Sequence, residues 1–186
     1  MSLGWEAEPQ LHDGSLVISN AISEVLGRQN QMVLFFAATS NDGSRSHDFY
    51  PANHKHVFSI RATNADGRHQ GPNAALPESG EAVFGTLGNE VPTASIRKTA
   101  QETPRSGSSP ATAIAAGLAA VLIGYITVNE RHQNWKNIRT HRGFEQLLYK
   151  VTKAPDERKR FFTLENFYAK SRWPSLDAHL NIACGE

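Results

Sequence analysis

The sequence predicts an α/β protein built on a mainly parallel sheet with flanking helices. Three observations predict this class: an amphipathic helical segment runs directly into an unbroken apolar stretch of strand length, further stretches of that kind are separated by glycine-containing turns, and a long, uncharged, alanine-rich segment follows them. The chain has 186 residues, of which 39% are hydrophobic and 20% charged. That is enough to bury one core.

The first helix and the first strand are predicted in the amino-terminal quarter of the chain. Apolar residues recur at helical spacing over 15–26, with Asp13 as the expected cap and Gly27 as the expected stop. The continuous apolar run 32–38 predicts a parallel strand covered on both faces. A turn at Asn41-Asp42-Gly43 ends this strand.

The later elements follow from the same two periods. Strands are predicted at 57–62 and 82–86, and the second has room to continue near 91–96. The segment 110–128 predicts a long helix, with Pro110 in the first turn, where its missing amide proton costs nothing. Apolar residues at helical spacing over 144–151 predict a short amphipathic helix, and the charge run 156–160 predicts a solvated segment.

Composition divides the chain into two parts. The first part, 1–128, carries the predicted strands and the uncharged helix. After it the sequence turns basic and polar, with Arg131, Lys136 and Arg142 close together, which predicts a helical carboxy-terminal extension, 129–186, that packs on the first part.

Charge and cysteine content exclude several classes of function. A net charge of +1 gives no footprint for nucleic acid, and no glycine-rich stretch is followed by the lysine of a phosphate-binding loop. The uncharged segment 110–128 is long enough to cross a membrane, although its glycines and threonines favour a buried core helix instead. A single cysteine, Cys184, and the absence of a visible secretory signal favour the cytoplasm.

The turn Gly107-Ser108-Ser109 at the start of the long helix carries the most specific chemistry. It resembles the nucleophile-bearing segment of subtilisin-like serine peptidases, the subtilases, and the resemblance implies that Ser109 is a nucleophile that forms an acyl-enzyme. Taken alone, Ser109 is better explained as a helix-capping serine, and it is the combination with Asn41 and the other matching segments that favours the nucleophile. Three positions depart from the family pattern: Ser108 replaces the usual threonine, Pro110 a valine or methionine, and Ala113 a common proline.

Other segments resemble the same family in the same order. The stretch 37–43 is similar to its Ala-Ala-x-Asn-x-Gly turn, which implies that the Asn41 side chain donates to the oxyanion. The Ser2-Leu3-Gly4 segment resembles the one that binds substrate backbone, Tyr50-Pro51-Ala52 and 83–88 also have counterparts, and 111–120 resembles fungal intracellular subtilases in particular.

The aspartate and the histidine of the subtilase triad lie upstream of the Ser-Leu-Gly segment, and this chain begins at that segment. The resemblance therefore implies the carboxy-terminal portion of the catalytic domain, with a partial doubly wound sheet whose amino-terminal half is absent. His47 lies close to Asp42 in sequence but in the oxyanion turn itself. His54 and His56 alternate like two metal ligands, but no second ligand cluster supports a metal site.

Three hypotheses of function follow. The first is a subtilisin-like serine endopeptidase that acts on peptide or protein substrates, is weakly active or inactive alone, and is completed by a polypeptide carrying the missing aspartate and histidine. The second is a pseudoenzyme or peptide-binding module that keeps the cleft. The third is a membrane-anchored interaction protein. No cofactor, metal or nucleic acid is expected, and the first two hypotheses involve no membrane.

Overall fold

The fold is a five-stranded sheet with helices on both faces. The computed structural model describes residues 13–28, 30, 32–43, 48–69, 73–78, 80–93, 103–129, 135–163 and 165. The helices are α1 Asp13–Arg28, α2 Ser108–Asn129 and α3 His141–Val151, with a 3₁₀ helix at Trp135–Arg139. The strands are β1 Phe35–Ala38, β2 Val57–Thr63, β3 Val83–Leu87, β4 Lys153–Asp156 and β5 Lys159–Phe161.

The strand order is β1-β2-β3-β5-β4, and every neighbouring pair is parallel except β4 and β5. This arrangement confirms the predicted α/β class with a mainly parallel sheet. The predicted strand at 32–38 is shorter in the structure, because only the residues from Phe35 onward pair with β2. Around 91–96 the described residues form no strand, and Val91 makes only an isolated antiparallel bridge with Arg105.

Helix α2 lies across β1, β2 and β3 on one face of the sheet. It approaches closely because alanines face the strands: Ala111, Ala115 and Ala119 are at most 2% exposed. By length and composition α2 is apolar enough to cross a membrane. Its packing on three strands is that of a core helix.

Helix α1 covers the other face of the sheet at the β1 side. Its buried residues Ile22 and Leu26 pack with Ala37 and Val57 in a second, smaller cluster. The helix begins at Asp13 and ends at Arg28, one residue beyond the expected glycine stop.

The segment after α2 contributes both a helix and a strand. The predicted amphipathic helix is confirmed as α3, which buries Phe144, Leu147, Leu148 and Val151. The expectation that 156–160 is a solvated charge run was wrong in part, because β5 begins inside it and pairs with β3. The division of the chain at residue 128 stays a prediction.

The charged side chain of Arg160 in β5 lies against Tyr149 of α3. The guanidinium carbon of Arg160 lies 4.9 Å from the ring centroid of Tyr149, and its Nη1 donates to the Tyr149 carbonyl at 3.2 Å. The aliphatic part of an arginine can cover apolar surface while the charged end stays hydrated.

Candidate functional site

The carboxyl ends of β1 and β3 meet the amino end of α2 at one end of the sheet. The Gly107 amide donates to the Gly88 carbonyl just after β3 at 2.7 Å, and the Gly88 amide donates to the Thr63 carbonyl at the end of β2 at 2.9 Å. Parallel strands bring their carboxyl ends to one edge, where α/β proteins place their sites. These two successive backbone hydrogen bonds therefore fix the start of α2 to the sheet.

Ser108 joins this turn to the segment after β1. Its amide donates to Asn41 Oδ1 at 3.0 Å, and its hydroxyl lies 2.9 Å from the same oxygen and 2.7 Å from the Thr39 carbonyl. Ser108 is fully buried. Because the carbonyl side of the Asn41 amide is occupied in this way, its Nδ2 group is turned away from Ser108.

Two glycines make room for this arrangement. Gly107 has a φ of 142°, and a Cβ there would lie 3.4 Å from Asn41 Nδ2. At Gly88 a Cβ would come within 2.7 Å of the Ala62 Cβ and 2.8 Å of the Gly107 carbonyl oxygen. A side chain at Gly88 would press on the turn before α2, and one at Gly107 would be strained by the positive φ.

Asn73 maintains the ladder of β2 beyond the point where β1 ends. Its Oδ1 accepts from the Ala62 amide and its Nδ2 donates to the Ala62 carbonyl, both at 2.9 Å. The side chain therefore takes the place of a neighbouring strand, which allows the chain to turn away after Ala38. Asn73 is not predicted from the sequence, because nothing in its local context links it to β2.

Ser109 lies in the first turn of α2 and is exposed. Among the residues that the structure describes, neither its hydroxyl nor its amide has a hydrogen-bond partner, and no histidine bonds to it. An amide in the first helical turn has no acceptor within its own helix and lies at the positive end of the helix dipole. Asn41 is exposed at the same end of the sheet.

The structure does not bring the other predicted site residues together with Ser109 and Asn41. Ser2, Leu3 and Gly4 lie outside the described residues, and so does His47. His54 and His56 lie before β2, at the opposite end of the sheet from Ser109. Within the described ranges, no group of three or more His, Cys, Asp or Glu side chains could hold a metal ion.

Three imidazoles meet at that opposite end. The His141 ring stacks on Phe58 with centroids 4.2 Å apart, His56 meets His141 edge to face at 6.2 Å, and His54 lies 5.7 Å from His56. Burial lowers the pKa of His141, and the neighbouring His56 and His54 lower it further. The pKa of His54 is lowered by burial, His56 and Lys55.

Acid is expected to destabilise the fold through His141. Its folded-state pKa lies below the ordinary value of 6.5, so its contribution to stability is complete above that value and is lost as the pH falls below it. Thermal unfolding between pH 7.5 and 5.5 should show a larger fall in Tm for the wild type than for His141→Phe, whose phenyl ring keeps the stacking without titrating.

A second titrating group affects the same measurement. Glu145 acts in the opposite direction, because burial and then Glu81 raise its pKa, so its protonation in acid favours the folded state. An identical pH dependence in the wild type and His141→Phe would contradict the assignment to His141.

Comparison with known proteins gives one family and one fold. A model described as the subtilase family, Peptidase_S8, matches residues 1–147. No curated protein matches the sequence. Among solved structures, a variant of the protease domain of PatA superposes with a TM-score of 0.67 at 22% identity, over 91% of this chain and 57% of that one.

Two further structures have the same fold. The prenylagaramide maturation protease PagA gives a TM-score of 0.66 at 18% identity, over 97% of this chain and 60% of that one. The PatG macrocyclase in complex with peptide gives 0.65 at 17% identity, over 89% and 49%. The chain therefore spans about half to three-fifths of the length of these structures.

Proposed function

Because the chain belongs to the subtilase family of serine peptidases, we propose that it is part of a serine endopeptidase that cleaves peptide bonds through an acyl-enzyme on Ser109. The observation that carries this proposal is the pair of hydrogen bonds from Ser108 to Asn41 Oδ1. They tie the nucleophile turn to the asparagine and leave the Nδ2 group of Asn41 to donate elsewhere.

The reaction assigns a role to each group. Ser109 Oγ attacks the carbonyl carbon of the scissile bond while its proton passes to a base. The Nδ2–H of Asn41 and the amide of Ser109 donate to the oxyanion that forms. The tetrahedral intermediate then expels the amine, which takes up the proton, and water hydrolyses the ester on Ser109.

Ser108 is the positioning residue of this scheme. Its buried hydroxyl and amide hold the Asn41 carbonyl oxygen, so the amide plane cannot rotate freely. A donor that is fixed before the reaction pays no reorganisation cost in the transition state. Serine supplies the same hydroxyl as the threonine usual in the family, without the methyl group.

A serine hydroxyl needs a base to become a good nucleophile. We place the base and its carboxylate on polypeptide outside the described residues, either in a longer form of the protein or on a complementing chain. The share of the related structures that the chain leaves uncovered, about two-fifths in PatA and PagA, is consistent with this assignment.

The substrate is proposed to be a peptide or protein in extended form, bound along Ser2, Leu3 and Gly4. The PatG macrocyclase was solved in complex with peptide. The alternative is a peptide-binding pseudoenzyme that keeps the cleft without chemistry. The packing of α2 on β1, β2 and β3 favours both of these readings over a membrane anchor.

Labelling with a fluorophosphonate tests the nucleophile. We expect the natural protein, as isolated, to be modified at the peptide that contains Ser109, and the Ser109→Ala variant to lose the label, because only an activated serine reacts with such a probe. Intact and peptide mass spectrometry would locate the adduct.

The matched control is Ser106→Ala, which removes a serine outside the helix. Labelling should survive that change. A folded natural protein that takes up no label at Ser109 would contradict the endopeptidase and support the pseudoenzyme.

A further inference from the structure

A cavity of about 720 Å³ lies at the opposite end of the sheet from Ser109. It is formed by the start of β2 and β3, by the loop before β2 and by one face of α3. Cavities of this volume are typical of small-molecule sites. None of the groups assigned to the peptidase reaction lines it.

One wall of the cavity is aromatic. Phe84 and Tyr149 meet edge to face with centroids 5.5 Å apart, and Phe58 meets Phe84 in the same manner at 6.4 Å. One of these rings already contacts a cation: the guanidinium carbon of Arg160, a residue that does not line the cavity, lies 4.9 Å from the Tyr149 ring centroid. The rings therefore form a surface suited to positive charge.

The charges that line the cavity are not balanced. Arg61 is neutralised by Asp48, at 2.9 Å, and also donates to the Ala75 carbonyl at 2.8 Å. Glu81 and Glu145 also line the cavity, and within the described part of the chain neither forms an ion pair. Glu145 is half-buried, and the remaining lining cation, Lys55, is exposed.

The two histidines of the lining add no positive charge at neutral pH. Burial and neighbouring positive charge keep the pKa values of His54 and His141 below the ordinary value, so each imidazole retains an unprotonated nitrogen. The backbone amide of His56 donates to Nδ1 of His54 at 3.2 Å, so in the neutral imidazole of His54 the proton lies on Nε2, which is a donor.

We propose that this cavity binds an alkyl ammonium group, with its charge between Glu81 and Glu145 and its methylene chain along the rings of Phe84 and Tyr149. A half-buried carboxylate beside a second one is relieved by a cation placed between them. The aromatic wall supplies a cation–π contribution and an apolar surface for the chain of the amine.

An inorganic cation fits this site less well. Calcium and magnesium need six or more oxygen ligands, and within the described ranges no group of three or more His, Cys, Asp or Glu side chains could hold a metal ion. The ligand chemistry is shared by a free diamine and by the lysine side chain of a peptide, and the experiment separates these two sources.

Calorimetric titration of the full chain with cadaverine and with a capped lysine, N-acetyl-lysine-methylamide, tests the proposal. We expect saturable binding of at least one of them and no binding of the neutral isostere N-acetyl-norleucine-methylamide. Tighter binding of the capped lysine would assign the site to a protein side chain, and tighter binding of cadaverine to a free amine.

Isosteric variants locate the site. Glu81→Gln and Glu145→Gln should each weaken binding about tenfold. The matched control Glu78→Gln, outside the lining, should leave it unchanged, and circular dichroism would show that each variant is folded. No binding, or affinity that survives both substitutions, or equal competition by Mg²⁺ or Ca²⁺, would overturn the proposal.

The site stands apart from the peptidase chemistry. The Ser109→Ala variant is expected to bind the amine as the wild type does. Failure of fluorophosphonate labelling would leave this result untouched, and failure of amine binding would leave the labelling result untouched.

Discussion

Replacing Asn41 by aspartate is expected to slow the fluorophosphonate modification of Ser109 by about 10²–10³-fold. This magnitude comes from subtilisin, a member of the same family. The aspartate keeps an oxygen for the amide and the hydroxyl of Ser108, so the turn is retained. It loses the Nδ2 donor and adds negative charge where the oxyanion forms. The second-order rate of labelling, measured by mass spectrometry on the natural protein, gives the ratio.

Two variants separate the loss of the donor from a change of the turn. Asn53→Asp makes the same chemical change in an exposed loop at the other end of the sheet and should leave the labelling rate as it is. Ser108→Ala keeps the Asn41 donor but removes the hydroxyl that orients it, so we expect an intermediate loss. Equal labelling rates in Asn41→Asp and the wild type would refute the oxyanion role.

Replacing Gly143 by alanine is expected to lower the free energy of unfolding by more than about 3 kcal/mol. A Cβ at this position would lie 2.0 Å from the Asn137 carbonyl oxygen and 2.6 Å from its carbon. Both are backbone atoms of the 3₁₀ helix, so they cannot move aside as a flexible side chain would. Urea unfolding followed by far-UV circular dichroism measures the change.

Gly117→Ala is the matched control for this prediction. Gly117 lies in the interior of α2, and a Cβ there would meet nothing within 4 Å. Alanine has the higher helix propensity, so this variant should be more stable by about 0.5–1 kcal/mol. Similar effects of the two substitutions would show that close packing at Gly143 does not limit the fold.

The elements that sequence alone predicted are those with a strong local period. The apolar residues of α3, and the glycine-bounded runs of β2 and β3, are visible within a window of about a dozen residues. By contrast, β5 is three residues long and rich in charge. Its place in the sheet depends on pairing with β3, more than 70 residues earlier, which no local pattern reveals.

The candidate site was predicted only in part, because some of its contacts also join residues that are far apart in the sequence. Resemblance to the family indicated Ser109 and Asn41, and both lie at one end of the sheet in the structure. In the sequence Ser108 stood out only as a departure from the usual threonine. The bonds that give it a role join residues 67 positions apart. Asn73 carries no signature at all, because its side chain replaces a strand rather than performing chemistry.

The pairing of β5 with β3 affects how the chain folds during synthesis. The Thr86 hydroxyl donates to the Phe162 carbonyl at 2.6 Å, and the Phe162 amide donates to Gly85 at 2.9 Å, so β3 has one open edge until residue 162 has left the ribosome. Such long-range pairing delays folding. A chain cut at residue 147, where the family match ends, would lack β5 and leave the Gly85 carbonyl and the Thr86 hydroxyl of β3 without these partners.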